Sequence, residues 1–190
     1  AEDGIRDLVR SRGLGDVYKR QVYSYGFVGR ESEMGRILEG TESGGYFGLV
    51  EGEAGIGKTR FLDRLSGILS SRGITCYRAS ADERELSYGI LASLVADMSG
   101  MADSDTQAVR KSRLCYLVNG LEDSSGTLSR REPFIGNMLF SLDYPDSDHH
   151  RLPPALRREN LLDGVCDLVL AFSGPLCVIM EDLHNCGEED

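Results

Sequence analysis

No stretch of this 190-residue chain is apolar for long enough to cross a bilayer, which excludes a helical membrane span within it. The first residues lack a signal-peptide pattern, so a cytoplasmic location is expected. Basic residues are scarce: 21 Lys and Arg face 31 Asp and Glu, a formal charge of −10. That balance argues against general affinity for nucleic acid, which basic patches carry. The five cysteines, Cys76, Cys115, Cys166, Cys177 and Cys186, lack Cys-x-x-Cys spacing. Reduced, buried thiols in a cytoplasmic protein are the expectation, with Cys76 and Cys177 in core strands. What is present is 41% hydrophobic residues, enough for one core of ordinary size and one domain.

The segment Ala1 to Gln21 stands apart. A-E-D-G-I-R-D and S-R-G-L-G-D-V-Y-K-R-Q resemble in-frame translations of a sequencing-library adapter, with Leu8, Val9 and Arg10 in the place of a sample index. The expectation is that 1–21 is not native, and the segment is set aside from the fold. Ile5, Leu8 and Val9 could otherwise support a weak native helix.

The stretch that organises the rest is Tyr46 to Thr59, Y-F-G-L-V-E-G-E-A-G-I-G-K-T. Gly52, Gly55, Gly57, Lys58 and Thr59 fill the pattern G-x-x-x-x-G-K-[ST], in which glycines let successive backbone N–H groups curl round a polyphosphate. Lys58 would reach the phosphates as a point charge, and the Thr59 hydroxyl would ligate Mg²⁺. Motifs this short need the right flanks. Tyr46 to Val50 reads as a buried strand introduced by Gly44-Gly45. Phe61, Leu62, Leu65, Ile68 and Leu69 recur at helical spacing, with Gly73 placed as a C-terminal cap. Such a helix points its N-terminus, with its partial positive charge, at the anion. The alternative is a glycine-rich turn that binds nothing.

Upstream, Phe27-Val28-Gly29-Arg30-Glu31 leads into a helical pattern through Met34, Ile37 and Leu38. F-V-G-R-E-S-E about twenty residues before a phosphate loop resembles the entry to the ATPase domain of the signal-transduction (STAND) class of AAA-related P-loop NTPases. That class includes large LuxR-type regulators and ATPase modules fused to cyclases or kinases. The resemblance implies that Val28, Gly29 and Arg30 lie near the adenine and ribose, and that the nucleotide set also takes in Glu53, Ala54, Ile56 and Arg60 of the loop. A solvated charge is the alternative for Arg30.

Farther along, Ile74 to Ala79 reads as a strand, completing a right-handed βαβ unit with the loop strand and its helix. Ser87 to Met98 reads as a helix with Ile90, Leu91, Leu94 and Val95 on one face, and its aromatic start at Tyr88 is read as core. Thr106 to Val118 can form another, whereas Glu122 to Arg131 is polar and serine-rich and Asp143 to Pro154 reads as loop. His149-His150 beside Asp146 and Asp148 could suggest a metal, but neighbouring histidines diverge, and a solvated loop is the favoured reading. Ala155 to Phe172 reads as a long helix with Leu156, Leu161, Leu162, Val165, Leu168 and Val169 inward, ended by Gly174-Pro175.

Leu176-Cys177-Val178-Ile179-Met180 is an unbroken apolar run, as in a strand buried on both faces, and it ends in Glu181-Asp182. Carboxylates at the C-terminal end of a parallel strand suit a Walker B element. By the family's register, Glu181 takes the metal role and Asp182 that of the base orienting water. Leu183-His184 continues the resemblance, but Asn185 and Cys186 depart from the usual Trp and later acidic residue.

The expectation is therefore an α/β P-loop NTPase fold, three-layer α/β/α with a parallel sheet, incomplete at the C-terminus, where the resemblance implies a later strand between the loop strand and the acidic-pair strand. The function expected is an MgATP-binding, ATP-hydrolysing regulatory module. Partners implied are ATP and the effector and sensor domains of the same polypeptide, with room for a nucleotide-dependent oligomer and no contact to nucleic acid or membrane. A nucleotide-binding scaffold without turnover is the alternative, and a small-molecule P-loop kinase is the least favoured, since no basic lid is evident.

Overall fold

Apolar spacing and the side chains that finish each helix account for most of the architecture. The computed structural model describes residues 29–42, 44–81, 87–121 and 125–186. The segment 1–21 and Val28 lie outside them. The described chain is mixed α/β, and it divides into two compact units, 29–76 and 77–186. No described helix is long and apolar enough to cross a membrane.

The first unit holds α1 (Glu31–Glu42), the glycine-rich loop and α2 (Lys58–Ser71). Helix α1 buries Met34, and α2 buries Phe61, Leu65 and Leu69, the i, i+4, i+8 stripe. Helix α2 ends as expected at Gly73, whose φ of 81° is left-handed. The Gly73 N–H donates to the Ser70 carbonyl and the Ile74 N–H to that of Leu69, the two bonds of a Schellman cap. Arg72 then pairs with Glu42 of α1 at 3.0 Å.

No strand forms over Tyr46 to Val50, which corrects the expectation of a buried strand there. Phe47 is 90% exposed, and Tyr46 and Leu49 are exposed as well. A strand exists only through ladder bonds to a neighbour, and this segment has none among the described residues. The expected βαβ unit is correspondingly not formed among them. Tyr46 lies so close to Gly40 of α1 that a Cβ at Gly40 would overlap its ring.

The second unit contains β1 (Thr75–Ser80, beginning at the division), α3 (Gly89–Ser99), α4 (Gln107–Gly120), α5 (Thr127–Phe140), α6 (Pro154–Leu170) and β2 (Leu176–Glu181). β1 and β2 form a two-stranded parallel sheet. One edge of β1 is already used: the Arg78 N–H donates to Asp97 Oδ2 at 2.8 Å and the Ser80 N–H to Ser93 Oγ at 3.0 Å. Both acceptors stand one turn apart on α3, so the helix covers the donors an exposed strand edge would present. β2 is not buried on both faces as its apolar run suggested; Ile179 is buried and Met180 is 46% exposed. Neighbours on a strand point to opposite faces, so Ile179 and Met180 lie on a covered and an open face respectively.

The core joins Ile90, Leu94, Val95 and Met98 of α3 to Leu114 and Val118 of α4, Ile135 of α5, and Leu161, Val165 and Leu168 of α6. Helices α5 and α6 meet at Gly164, where a Cβ would come within 3.0 Å of Ile135 Cδ1. Arg131 of α5 fastens the same contact by pairing with Asp163 at 2.9 Å and with Asp167. Helix α5 was not expected across the polar, serine-rich 122–131. Its apolar face of Leu128, Phe134 and Ile135 is buried, and that burial outweighs the cost of Pro133 inside the helix.

Two smaller corrections follow from packing. Leu156 is 43% exposed rather than inward, being in the first turn of α6. None of the five cysteines is fully buried: Cys166 is exposed and the other four are half-buried.

Candidate functional site

The glycine-rich loop is exposed from Gly52 to Gly57 and is closed by its own lysine. Lys58 Nζ donates to the Gly52 carbonyl at 2.8 Å and to that of Glu53 at 3.0 Å. A long cation folded back on carbonyls five and six residues upstream pulls the intervening backbone into a ring. The ring needs left-handed turns, and Gly55 (φ 79°) and Gly57 (φ 94°) supply them. A Cβ at either would meet nothing within 4 Å, so these glycines serve conformation and leave open space above the backbone. Gly52 is different, because a Cβ there would come within 3.0 Å of Ile56 Cγ2.

Gly57 is also the N-cap of α2, and no side chain caps that end. The first N–H groups of a helix have no intrahelical acceptor, and with the macrodipole they favour an anion. Thr59 is exposed in the first turn; Arg60 is half-buried, while Glu53, Ala54 and Ile56 are exposed on the loop. Apart from the half-buried Lys58 and Arg60, the loop residues named from the sequence are thus exposed along one short stretch. Its chemistry, backbone donors without Cβ atoms beside one ammonium group, fits a polyphosphate and an accompanying divalent cation at the Thr59 hydroxyl.

At the entry to α1, Gly29 (φ 86°) and Arg30 (φ 62°) are consecutive left-handed residues. The Gly29 N–H donates to Glu31 Oε1 at 3.1 Å, and the Arg30 carbonyl accepts from the Met34 N–H, starting the helix. Arg30 is exposed. The turn is a sharp one, and a left-handed arginine costs roughly 1–2 kcal/mol.

The acidic pair belongs to the second unit. Glu181 ends β2, with its side chain only 14% exposed, and pairs with Arg78 Nη1 of β1 at 3.3 Å. Asp182 is exposed and left-handed (φ 57°), and its Oδ2 accepts from the Ser80 hydroxyl at 3.2 Å. Its carbonyl accepts from the Asn185 N–H, opening a short 3₁₀ turn over Leu183–Asn185. The two carboxylates are held by Arg78 and Ser80, residues two apart on β1 and so on the same face. Neither was singled out from the sequence, although two polar residues at alternate positions in I-T-C-Y-R-A-S are the available signal.

His149 lies where a solvated loop was expected, and that expectation is corrected. Asp148–Arg151 is a 3₁₀ turn, and His149 is 7% exposed, the one buried polar residue among those described. Its ring stands edge-on to Phe134, Tyr144 and His150. Burial first, then the electrostatic influence of His150 and Arg157, hold its pKa below the usual histidine value, against a smaller opposing pull from Asp143. Tyr144 is pushed far up by burial and by Glu132, which accepts its hydroxyl at 3.1 Å. No group of three metal-ligating side chains occurs among the described residues. Comparison with family models, with curated proteins and with solved structures gives no match to this chain in any of the three.

Proposed function

We propose that the chain is an MgATP-binding module of the P-loop NTPase kind, with the three-layer α/β/α arrangement of that fold, serving as an ATPase switch in a signalling or transcription-regulating protein of the cytoplasm. The observation that carries this is the loop itself. Lys58 closes it through Gly52 and Glu53, Gly55 and Gly57 turn it left-handed, and the uncapped α2 follows. Bound MgATP would supply the reactive anhydride and the charge on its terminal phosphate. The chain's own share is to present backbone donors from Gly52 to Thr59, one ammonium from Lys58 and the Thr59 hydroxyl, with Val28, Gly29 and Arg30 proposed beside the base. Glu181 and Asp182, in the second unit, are the carboxylates that the resemblance assigns to the cation shell and to water. The departure at Asn185 and Cys186 favours a second reading, a nucleotide-binding scaffold without turnover.

Lys58→Ala tests binding. Charge-assisted hydrogen bonds contribute about 1.5–3 kcal/mol each, so ATP affinity should fall roughly ten- to hundredfold. Calorimetry showing unchanged affinity in a folded Lys58→Ala protein would sink the proposal. Single-turnover hydrolysis of labelled ATP separates the switch from the scaffold.

A further inference from the structure

The described arginines of the second unit find acceptors within the protein, with two exceptions. Arg78, Arg113, Arg131 and Arg151 each pair with a carboxylate, and Arg110 and Arg130 donate to backbone carbonyls. Arg157 and Arg158, at the start of α6, make neither an ion pair nor a hydrogen bond among the described residues. Arg157 Nε is buried without an acceptor, in a chain of formal charge −10. Buried guanidinium donors are rarely left so, because the hydration they lose goes unreplaced. Both arginines line a cavity of about 310 Å³ whose other walls are Tyr88 ahead of α3, Met138 of α5, and Pro154 and Ala155 of α6. Tyr88 belongs to the core and Met138 packs against it, so these two walls are set by the packing of the unit itself. No side chain caps α6, and the N–H groups of its first turn have no intrahelical acceptor.

We propose that this cavity binds a small amphipathic anion, with one oxyanion head, carboxylate or phosphate, on an apolar body. Arg157 and Arg158 take the head, since the planar fork of a guanidinium matches the paired oxygens of either group. The positive end of α6 adds to the same field. Tyr88, Met138 and Pro154 supply the surface on which the body leaves water. The cavity is at the small end of the range for ligand sites, so the body is compact. Every lining residue belongs to 77–186, and the site does not depend on the MgATP reading.

The test titrates naphthoate and naphthyl phosphate into the full chain by calorimetry, with inorganic phosphate as the head alone and naphthalenemethanol as the body alone. At least one naphthyl anion should bind about tenfold or more tightly than either part, and whichever binds better identifies the head. Arg157→Met keeps much of the apolar stem and removes the donors, so that binding should weaken by about tenfold or more. Its denaturation midpoint without probe should stay at the parental value or rise, because a buried donor without an acceptor is gone. A lowered midpoint would make Arg157 a residue of the fold and overturn its role. Arg158→Gln and Ala155→Trp are at exposed positions, so both keep the comparison open should Arg157→Met fail to fold. The first should weaken binding about tenfold, and the second, by filling the cavity, should abolish it. Three results overturn the site: no saturable binding of either naphthyl anion below about 1 mM, inorganic phosphate binding as tightly as its naphthyl ester, or parental affinity in both Arg158→Gln and Ala155→Trp.

Discussion

The two units differ in what sets their conformation. The helical unit, 77–186, gathers its apolar residues into one continuous core on four helices and one face of a sheet. Among its described residues the loop unit, 29–76, buries only Met34, Phe61, Leu65 and Leu69 and leaves Tyr46, Phe47, Leu49 and Ile56 exposed. Its conformation is set instead by backbone: left-handed glycines, a lysine on carbonyls and a Schellman cap. One unit is specified by side-chain volume and the other by φ angles. Substitutions that change volume should therefore separate them, as should substitutions that restrict φ.

The largest separation is expected from truncation. Ile135→Ala removes a fully buried side chain at the α5–α6 contact and should cost about 2–5 kcal/mol in chemical denaturation. Phe47→Ala, on a side chain 90% exposed, should change stability by about 0.5 kcal/mol or less. A Phe47→Ala loss as large as that of Ile135→Ala would break the comparison.

Next in size is a φ substitution. Gly57→Ala places a Cβ at φ 94° and should cost roughly 1–2 kcal/mol while distorting the nucleotide loop. Because a Cβ there meets no neighbour, the cost is conformational, and Gly57→Asn should recover part of it. Equal losses for alanine and asparagine, read from the denaturation midpoint, would show that the backbone is not what holds the loop.

The smallest effect concerns pH and belongs to the helical unit alone. His149 has a folded pKa held below its unfolded value near 6.5, so it contributes stability that is fully present above about pH 6.5. That contribution is lost as pH falls through 6.5 towards the folded pKa, because the unfolded chain takes up the proton first. Denaturation midpoints between about pH 7.5 and 5.5 should drop more for the parent than for His149→Phe, whose ring can keep the edge-on contacts with Phe134 and Tyr144. Parallel pH curves for the two proteins would remove His149 from the account.

Local chemistry was legible in the residues themselves. The left-handed loop, the Gly73 cap, and the buried stripes Phe61–Leu65–Leu69 and Leu161–Val165–Leu168 depend on φ preference and on 3.6-residue spacing, both properties of a short window. The fate of each apolar or polar residue beyond its window was decided only by tertiary structure. Tyr46 to Val50 has strand composition but no partner to bond with among the described residues. The polar start of α5 is helical because distant helices bury Leu128 and Ile135. His149 is enclosed by Phe134 and Tyr144, which come from an adjoining helix and turn. Arg78 and Ser80 reach Glu181 and Asp182 across about a hundred residues of chain, because a parallel ladder sets β1 beside β2. Residue type could announce two carboxylates at a strand end; which of them is already neutralised depends on the strand that pairs with it.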